Sequence, residues 1–501
     1  MSKDSVNTQI AKGAAWMVGF KILDNALGLI STLVLARMLA PQDFGLVSMS
    51  MVLMAAMMLL MSFSFDIQLI QNPNAERKHF DTAWTFNVML ATCFGILMAL
   101  LAPLTASFYR EPRLELILYV MAVGFVLQGF SNIGTVKFRR EMRFDREFKF
   151  LLSKRMSSLL VTIPLAIYMR NYWALVIGQL AGTVLSLVMS YVVSSYRPRF
   201  SLAAKGEMFH GSKWLFVNSF IQFLHNRAPT FVIARMLGAA PVGVYSIAAE
   251  ISLLPSNELV APINRAAFPG YAKAAHDMDK LRDSFLKVIA SIALIALPAG
   301  LGIVAVAELL VPAALGWKWM DAIPIIQLLA VYGIIKALQT NIGYIYLVLG
   351  MTKRITLITS IQVLIQTAAL IPGVYYYGVQ GAAWSYLGTS ILLIPLNQYL
   401  VAECLSLSAT RFCRELIRPL IASLTMVAVV VAVKSQLVLR QETLDYVLAL
   451  LLCAATGALV YVVMMYTLWR IAGQPQGAEE FSFRRLQGVL GKVGIRLKLV
   501  R

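Results

Sequence analysis

Ionisable and amide side chains recur at helical spacing inside long apolar runs of this chain, and any chemistry it performs must be built from them. Lys21 and Asp24 stand three residues apart and share a helical face with Asn25 and Gly28. Asn218, Gln222 and His225 form a second stripe, while Arg227 points to roughly the opposite side of an ideal helix. Pro229 can distort that run, so Arg227 faces either a polar space or a neighbouring helix. Glu250, Asn257, Glu258, Asn264 and Arg265 occupy one sector of a run broken by Pro255 and Pro262. Lys336 shares a run with Gln339, Thr340, Gly343 and Tyr344 and has no acid near it in sequence. Gln128, Asn132 and Thr135 make a further polar stripe, and Asp66 ends the second apolar run.

A Lys, Arg or Asp at mid-membrane depth costs about 2.5–3.5 kcal/mol on insertion scales, so such residues face a bundle interior or a wet cavity. Lys21 and Asp24 therefore line a cavity or form a locally neutralised pair that helps helices pack. Lys336 calls for an anionic partner, which is Asp66 or a glutamate from the other lobe, or a ligand. Asp24, Asp66, Glu250 and Glu258 are the candidates for carrying a coupling ion, because a poorly hydrated carboxyl can bind a proton near neutral pH. Pairing of the two glutamates with Arg227 or Arg265 is the structural alternative.

The elements that must position these residues follow from composition. Of 501 residues, 59% are hydrophobic and 14% charged, which no water-exposed surface of this size tolerates. Cys93, Cys404, Cys413 and Cys453 lack CxxC spacing, and His79, His210, His225 and His276 make no ligand pattern with them. Neither a disulfide, a metal nor a cofactor is expected. The first residues lack the charged start, short apolar core and cleavage site of a signal peptide, so the first apolar run is expected to stay as a helix. The formal charge of +19 could suggest nucleic acid, but its placement marks one side of a membrane instead.

Apolar runs long enough to cross ~30 Å of hydrocarbon lie near residues 11–36, 44–70, 82–108, 115–136, 150–169 and 172–196. Six more follow near 213–237, 242–268, 284–308, 322–349, 355–377 and 380–404, and two last near 416–438 and 444–469. The chain is thus expected to be an all-α polytopic membrane protein with 14 transmembrane helices. Its parts are two six-helix lobes (1–200 and 201–410), two additional helices (411–472) and a basic tail (473–501). Lys and Arg concentrate in the loops on the side of both termini, including Lys137, Arg139, Arg140, Arg143, Arg146, Lys149, Lys154 and Arg155. By the positive-inside rule both termini are cytoplasmic. The tail alternates basic with apolar residues and reads either as an amphipathic helix on the anionic leaflet or as a loosely ordered anchor of topology.

The two lobes are expected to be copies of one another. LARMLAPQDFGLVSM (Leu35 to Met49) returns as IARMLGAAPVGVYSI (Ile233 to Ile247), with Ala36, Arg37, Met38, Leu39, Gly45 and Ser48 repeated at an offset of 198. SNIG at Ser131 returns as TNIG at Thr340, and SKR at Ser153 returns as TKR at Thr352. An even number of helices per copy keeps both in one orientation, with the pseudo-two-fold axis along the membrane normal.

The turn LARMLAPQDFGL, the basic FRREMRF (Phe138 to Phe144) and the 6+6+2 plan resemble the polysaccharide-transporter branch of the multidrug/oligosaccharidyl-lipid/polysaccharide exporter superfamily, the Wzx-type flippases. The resemblance covers most of the chain but not the last 30 residues. It implies movement of undecaprenyl-pyrophosphate-linked oligosaccharide units from the cytoplasmic to the outer leaflet of the bacterial inner membrane, by alternating access coupled to a cation gradient. On that reading Lys21, Arg227 and Lys336 suit the pyrophosphate, while Asn132, Gln222, Gln339 and Tyr344 read the sugar. The implied partners are membrane lipids and a polysaccharide polymerase or export machinery, with the protein itself a monomer. A multidrug exporter of the same superfamily and a non-transporting scaffold are the alternatives. A membrane polymerase or glycosyltransferase would need a large extramembrane loop or an acidic catalytic motif, and neither is found.

Overall fold

The computed structural model describes residues 3–61, 65–72, 74–207, 213–440 and 442–475, with most positions from 477 to 484 and residue 487. Every regular element among them is helical. The chain divides into two compact units, Met1–Ser246 and Ile247–Arg501.

In the first unit α1 (Lys3–Met38), α2 (Pro41–Leu60) and the short α3 (Phe65–Gln71) precede α4 (Arg77–Tyr109) and α5 (Arg113–Gly129). The one-turn α6 (Val136–Arg140), α7 (Phe144–Met169), α8 (Trp173–Val193) and α9 (Lys213–Leu237) follow, and α10 (Ala239–Leu254) crosses into the second unit. There a π-helical turn, Pro255–Val260, leads to α11 (Ala261–Ala274), α12 (Met278–Leu310), α13 (Ala322–Val348) and α14 (Thr352–Leu392). The last helices are α15 (Ile394–Leu405), α16 (Ala409–Gln436) and α17 (Thr443–Ile471).

Among the described residues ten helical stretches are long and apolar enough to cross a membrane, eleven if Arg113–Gly129 and Ile133–Arg140, bent by 59°, make one span. The chain is therefore an all-helical, multi-pass membrane protein. Beyond that bent pair, the difference from the fourteen expected arises at three places. The helix α9 carries His225, Arg227 and Arg235, and α10 has only 16 residues before Pro255 opens a π turn. The third is Lys353–Leu405, 53 residues that count as one stretch. That stretch folds back on itself: Gly378 (φ 59°, ψ −142°) takes a conformation that an L side chain resists. The single Ser385 hydroxyl proton is shared between Gly381 O of its own leg (2.7 Å) and Ala369 O of the other (2.9 Å), and the second contact ties the two legs together.

The repeated corner gives the first unit its tightest packing. Pro41 stands at the first turn of α2, where its missing N–H costs nothing. Asp43 accepts from Ala40 N at 2.8 Å and from Tyr172 N at 2.9 Å, binding the corner to the start of α8. Its second copy begins α10, and the two copies meet. A Cβ on Gly45 would lie 1.7 Å from Ala239 O, and a Cβ on Gly243 would lie 1.8 Å from Pro41 O. Because 41 and 239, like 45 and 243, differ by the repeat offset of 198, each copy offers the other the same pair of atoms. The contact has two-fold reciprocity.

At the other end of α4, side chains strap down the linker that follows α8. Asp81 accepts from the Tyr196 hydroxyl at 2.7 Å and from Arg199 N at 2.9 Å, and pairs with Arg77 at 3.5 Å. Thr85 accepts from Ser201 N and Thr82 from Ala204 N. Lys137 lies 4.7 Å from the Tyr196 ring centre. Burial and the Asp81 carboxylate hold the Tyr196 phenol well above its usual range, so it stays a donor. Replacing Asp81 with alanine leaves Arg199 N–H without its acceptor and Tyr196 O–H with only the longer bond to Arg77 O at 3.3 Å. It is expected to cost about 2–3 kcal/mol, read as a clear fall in melting temperature in detergent; a wild-type melt would refute the strap.

The α4–α5 corner supplies a pH dependence. Glu111 accepts two hydrogen bonds from Arg113, at 2.7 and 2.8 Å, which hold its carboxyl below the usual range. A lowered folded-state value means stability present above the unfolded value and lost as pH falls through the folded one. Glu111→Gln is expected to flatten the acid side of the stability curve, checked by melting between pH 3 and pH 7 (about the carboxylate range).

Candidate functional site

In the first unit the polar stripe of α1 faces α7. Lys21 donates to Asn25 Oδ1 at 2.7 Å, while Asp24 pairs with Arg155 at 3.4 Å. Gly28 makes room for this: a Cβ there would lie 2.7 Å from a terminal nitrogen of Arg155. Asp24 is thus neutralised across the helix pair by a residue of the basic run, and Lys21 keeps an amide acceptor. Gln222 is exposed and Arg227 half-buried on α9. The Asp66 side chain lies outside the described residues.

Asn132 is committed to structure. Only 1% exposed, it caps the 3-10 turn Ile133–Thr135 by accepting from Gly134 N at 2.8 Å, and its amide donates to Tyr196 O at 2.7 Å. With its stripe partners Gln128 and Thr135 it borders a crevice of about 530 Å3, also lined by Lys154 of α7, Arg139 of α6 and Asn87 of α4. Lys154 reads in sequence only as one charge in the basic run, and Asn87 carries no sequence signal beyond being an amide in an apolar run.

In the second unit Lys336, Gln339 and Tyr344 share α13, with Lys336 and Gln339 half-buried. Lys336 makes no ion pair among the described residues, and Gln339 Nε2 is buried without a hydrogen-bond acceptor. Tyr344 packs on Phe268 with ring centres 5.8 Å apart. The π turn bearing Glu258 is fastened to α13 about one helical turn before Lys336 by Ser256 to Gly333 O (2.6 Å), and the end of α10 is fastened nearer the start of α13 by Ser252 to Ile326 O (3.0 Å). Glu258 is half-buried and Glu250 exposed. Asn264, fully buried on α11, leaves both amide atoms unpartnered, a placement that periodicity alone did not separate from its exposed neighbour Arg265. The residues brought together lie within single units: Asp24 with Arg155, Gln128 and Thr135 with Lys154, and Lys336 beside Gln339. A π turn where Pro255 and Pro262 interrupt the pattern is a bend that neighbouring hydroxyls stabilise.

The profile of the polysaccharide biosynthesis protein family matches residues 34–324, more than half of the chain. This chain belongs to that family. Relatives within reach of sequence comparison include the lipopolysaccharide biosynthesis protein WzxC of Escherichia coli, 29% identical over 68% of this chain and 70% of the relative. The teichuronic acid biosynthesis protein TuaB of Bacillus subtilis is 22% identical over 92% of this chain and 96% of its own length. Among solved structures, the lipid II flippase MurJ in an inward closed conformation superposes with a TM-score of 0.72 at 12% identity, covering 90% of this chain and 98% of that one. At that identity the likeness shows the fold. The protein is a membrane transport protein with the fold of the multidrug/oligosaccharidyl-lipid/polysaccharide exporter superfamily, not an enzyme.

Proposed function

We propose that the chain is a flippase for lipid-linked oligosaccharides, carrying undecaprenyl-pyrophosphate-linked repeat units from the cytoplasmic to the outer leaflet of the bacterial inner membrane during polysaccharide assembly. The observation that carries the reading is the family match over residues 34–324 together with a cation, Lys336, that has no ion pair among the described residues and is held at mid-helix in a transporter fold. A half-buried lysine beside Gln339 and Tyr344 suits a phosphate next to sugar hydroxyls and disfavours the cationic drugs of multidrug exporters. Counting the fold-back at Gly378, α9, α10–α11 and the bent α5–α6 pair with the ten apolar stretches gives fourteen crossings in a 6+6+2 plan, which puts both termini on one side, and the Lys and Arg bias of the loops makes that side the cytoplasm. The reciprocal contact of Gly45 and Gly243 favours two copied lobes, residues 1–200 and 201–410, working by alternating access.

Flipping of a labelled polyprenyl-pyrophosphate sugar in liposomes holding only this protein tests the proposal. No flipping, or efflux of cationic drugs in its place, would reject it. Coupling to a cation gradient is assigned to Glu250 and Glu258. Changing both to Gln is expected to remove the response of flipping to an imposed pH gradient, and an undiminished response would exclude them.

A further inference from the structure

The crevice in the first unit holds more hydrogen-bonding capacity than its fold consumes. Asn87, Gln128, Ser131, Lys154 and Ser186 line it, and none of these side chains makes a hydrogen bond or ion pair among the described residues. Their neighbours are satisfied: Thr183 donates to Gln179 O at 3.0 Å, Thr135 to Asn132 O at 3.1 Å, and Ser190 Oγ accepts from Asn132 N at 3.0 Å. Groups that build the wall and groups that face the space without a partner are therefore different residues. Ser186 is buried, Asn87 and Ser131 are half-buried and Gln128 and Lys154 are exposed, and four neutral polar groups and a cation around one space match a ligand rich in hydroxyls.

Charge narrows the class. Arg139 is balanced by Glu147, whose side chain is 5% exposed, and no carboxylate lines the crevice among the described residues. Lys154 is left as the uncompensated charge, a point cation suited to phosphate. Phe65 and Phe150 add apolar wall against which the C–H face of a sugar ring can rest. The volume of about 530 Å3 lies within the range of small-ligand sites (roughly 300–1,000 Å3) and exceeds what a bare phosphate fills.

We propose that this crevice is a recognition site for a pyrophosphoryl sugar borne on lipid, with Lys154 on the phosphate and Asn87, Gln128, Ser131 and Ser186 on the sugar. The inference rests on the flippase reading and adds to it a site lying wholly within the first unit.

The test is equilibrium binding to the full-length protein in nanodiscs, with three probes: polyprenyl-pyrophosphoryl glucose, polyprenyl pyrophosphate, and UDP-glucose. Lys154→Ala is expected to weaken both lipids about tenfold, and Lys154→Arg to restore most of that binding, which separates charge from misfolding. Asn87→Ala with Gln128→Ala is expected to weaken only the sugar-bearing lipid, and to raise KM for flipping at unchanged kcat. Unaltered binding in every variant overturns the site. Equal weakening of the two lipids by the amide variants overturns the sugar contact, and UDP-glucose displacing the lipid at equal concentration overturns the lipid source. Wild-type protein that binds but never flips the lipid would sink the flippase reading alone. Wild-type flipping with variants that bind as tightly would sink only the crevice.

Discussion

Gly45→Ala is expected to reach the membrane and to lose at least nine-tenths of its transport (about tenfold or more), and Gly243→Ala is expected to match it. A methyl on either glycine would stand 1.7 or 1.8 Å from a main-chain carbonyl oxygen, where real Cβ contacts do not fall below 3.0 Å. The obstructing atom belongs to the first turn of a helix, so no side-chain rotation relieves it. The starts of α2 and α10 must separate by more than about 1 Å, and overpacking of this kind costs typically 1–3 kcal/mol. Reciprocity makes the prediction sharp, since one interface is spoiled whichever glycine is enlarged. Flipping assays and melting curves on the two variants should fall together. A variant that melts and transports like the wild type would show that the helices part without cost, and unequal losses would show that the contact is not shared evenly.

Lys336→Met is expected to separate stability from function: the melting temperature should rise while flipping falls by about tenfold or more. The lysine is half-buried in α13 with no ion pair among the described residues, so the fold bears its desolvation without the return of a partner. Methionine keeps the unbranched shape and removes the charge. Replacing buried ionic groups by apolar ones of similar volume commonly gains about 1–4 kcal/mol. If Lys336 instead secures the fold, the variant will melt earlier, and the assignment of its charge to an anionic cargo fails. Retained flipping at raised stability would equally remove Lys336 from the transport path. Lys336→Arg should hold part of the activity, because the cation persists although its shape changes.

Much of the architecture was legible because a bilayer imposes its own grammar on sequence. Apolar runs near 82–108, 284–308 and 444–469 become α4, α12 and α17, since a buried backbone in hydrocarbon has no option but the helix. The repeat at Leu35 and Ile233 was visible as letters, and its meaning as a contact came from the conserved spacing between Pro41 and Gly45 and between Ala239 and Gly243. What stayed hidden depends on partners distant in the chain. Asp24 reads as the mate of Lys21 three residues away, yet its ion pair is with Arg155, more than a hundred residues on, because facing helices outcompete one turn of the same helix. Asn132 fits a hydroxyl-reading stripe by periodicity, but the chain breaks there and the amide caps a turn and holds the Tyr196 carbonyl. No local pattern encodes that. The unclaimed Lys154 was similarly invisible, since a basic run reports on topology and not on which of its members lacks a carboxylate.

When each of two helices gives the other the same glycine and the same carbonyl, the arrangement is that of identical molecules meeting face to face. The corner at Gly45 and Gly243 therefore has, inside one polypeptide, the geometry of a two-fold contact between identical chains. A mutation at either glycine has to satisfy both helices at once.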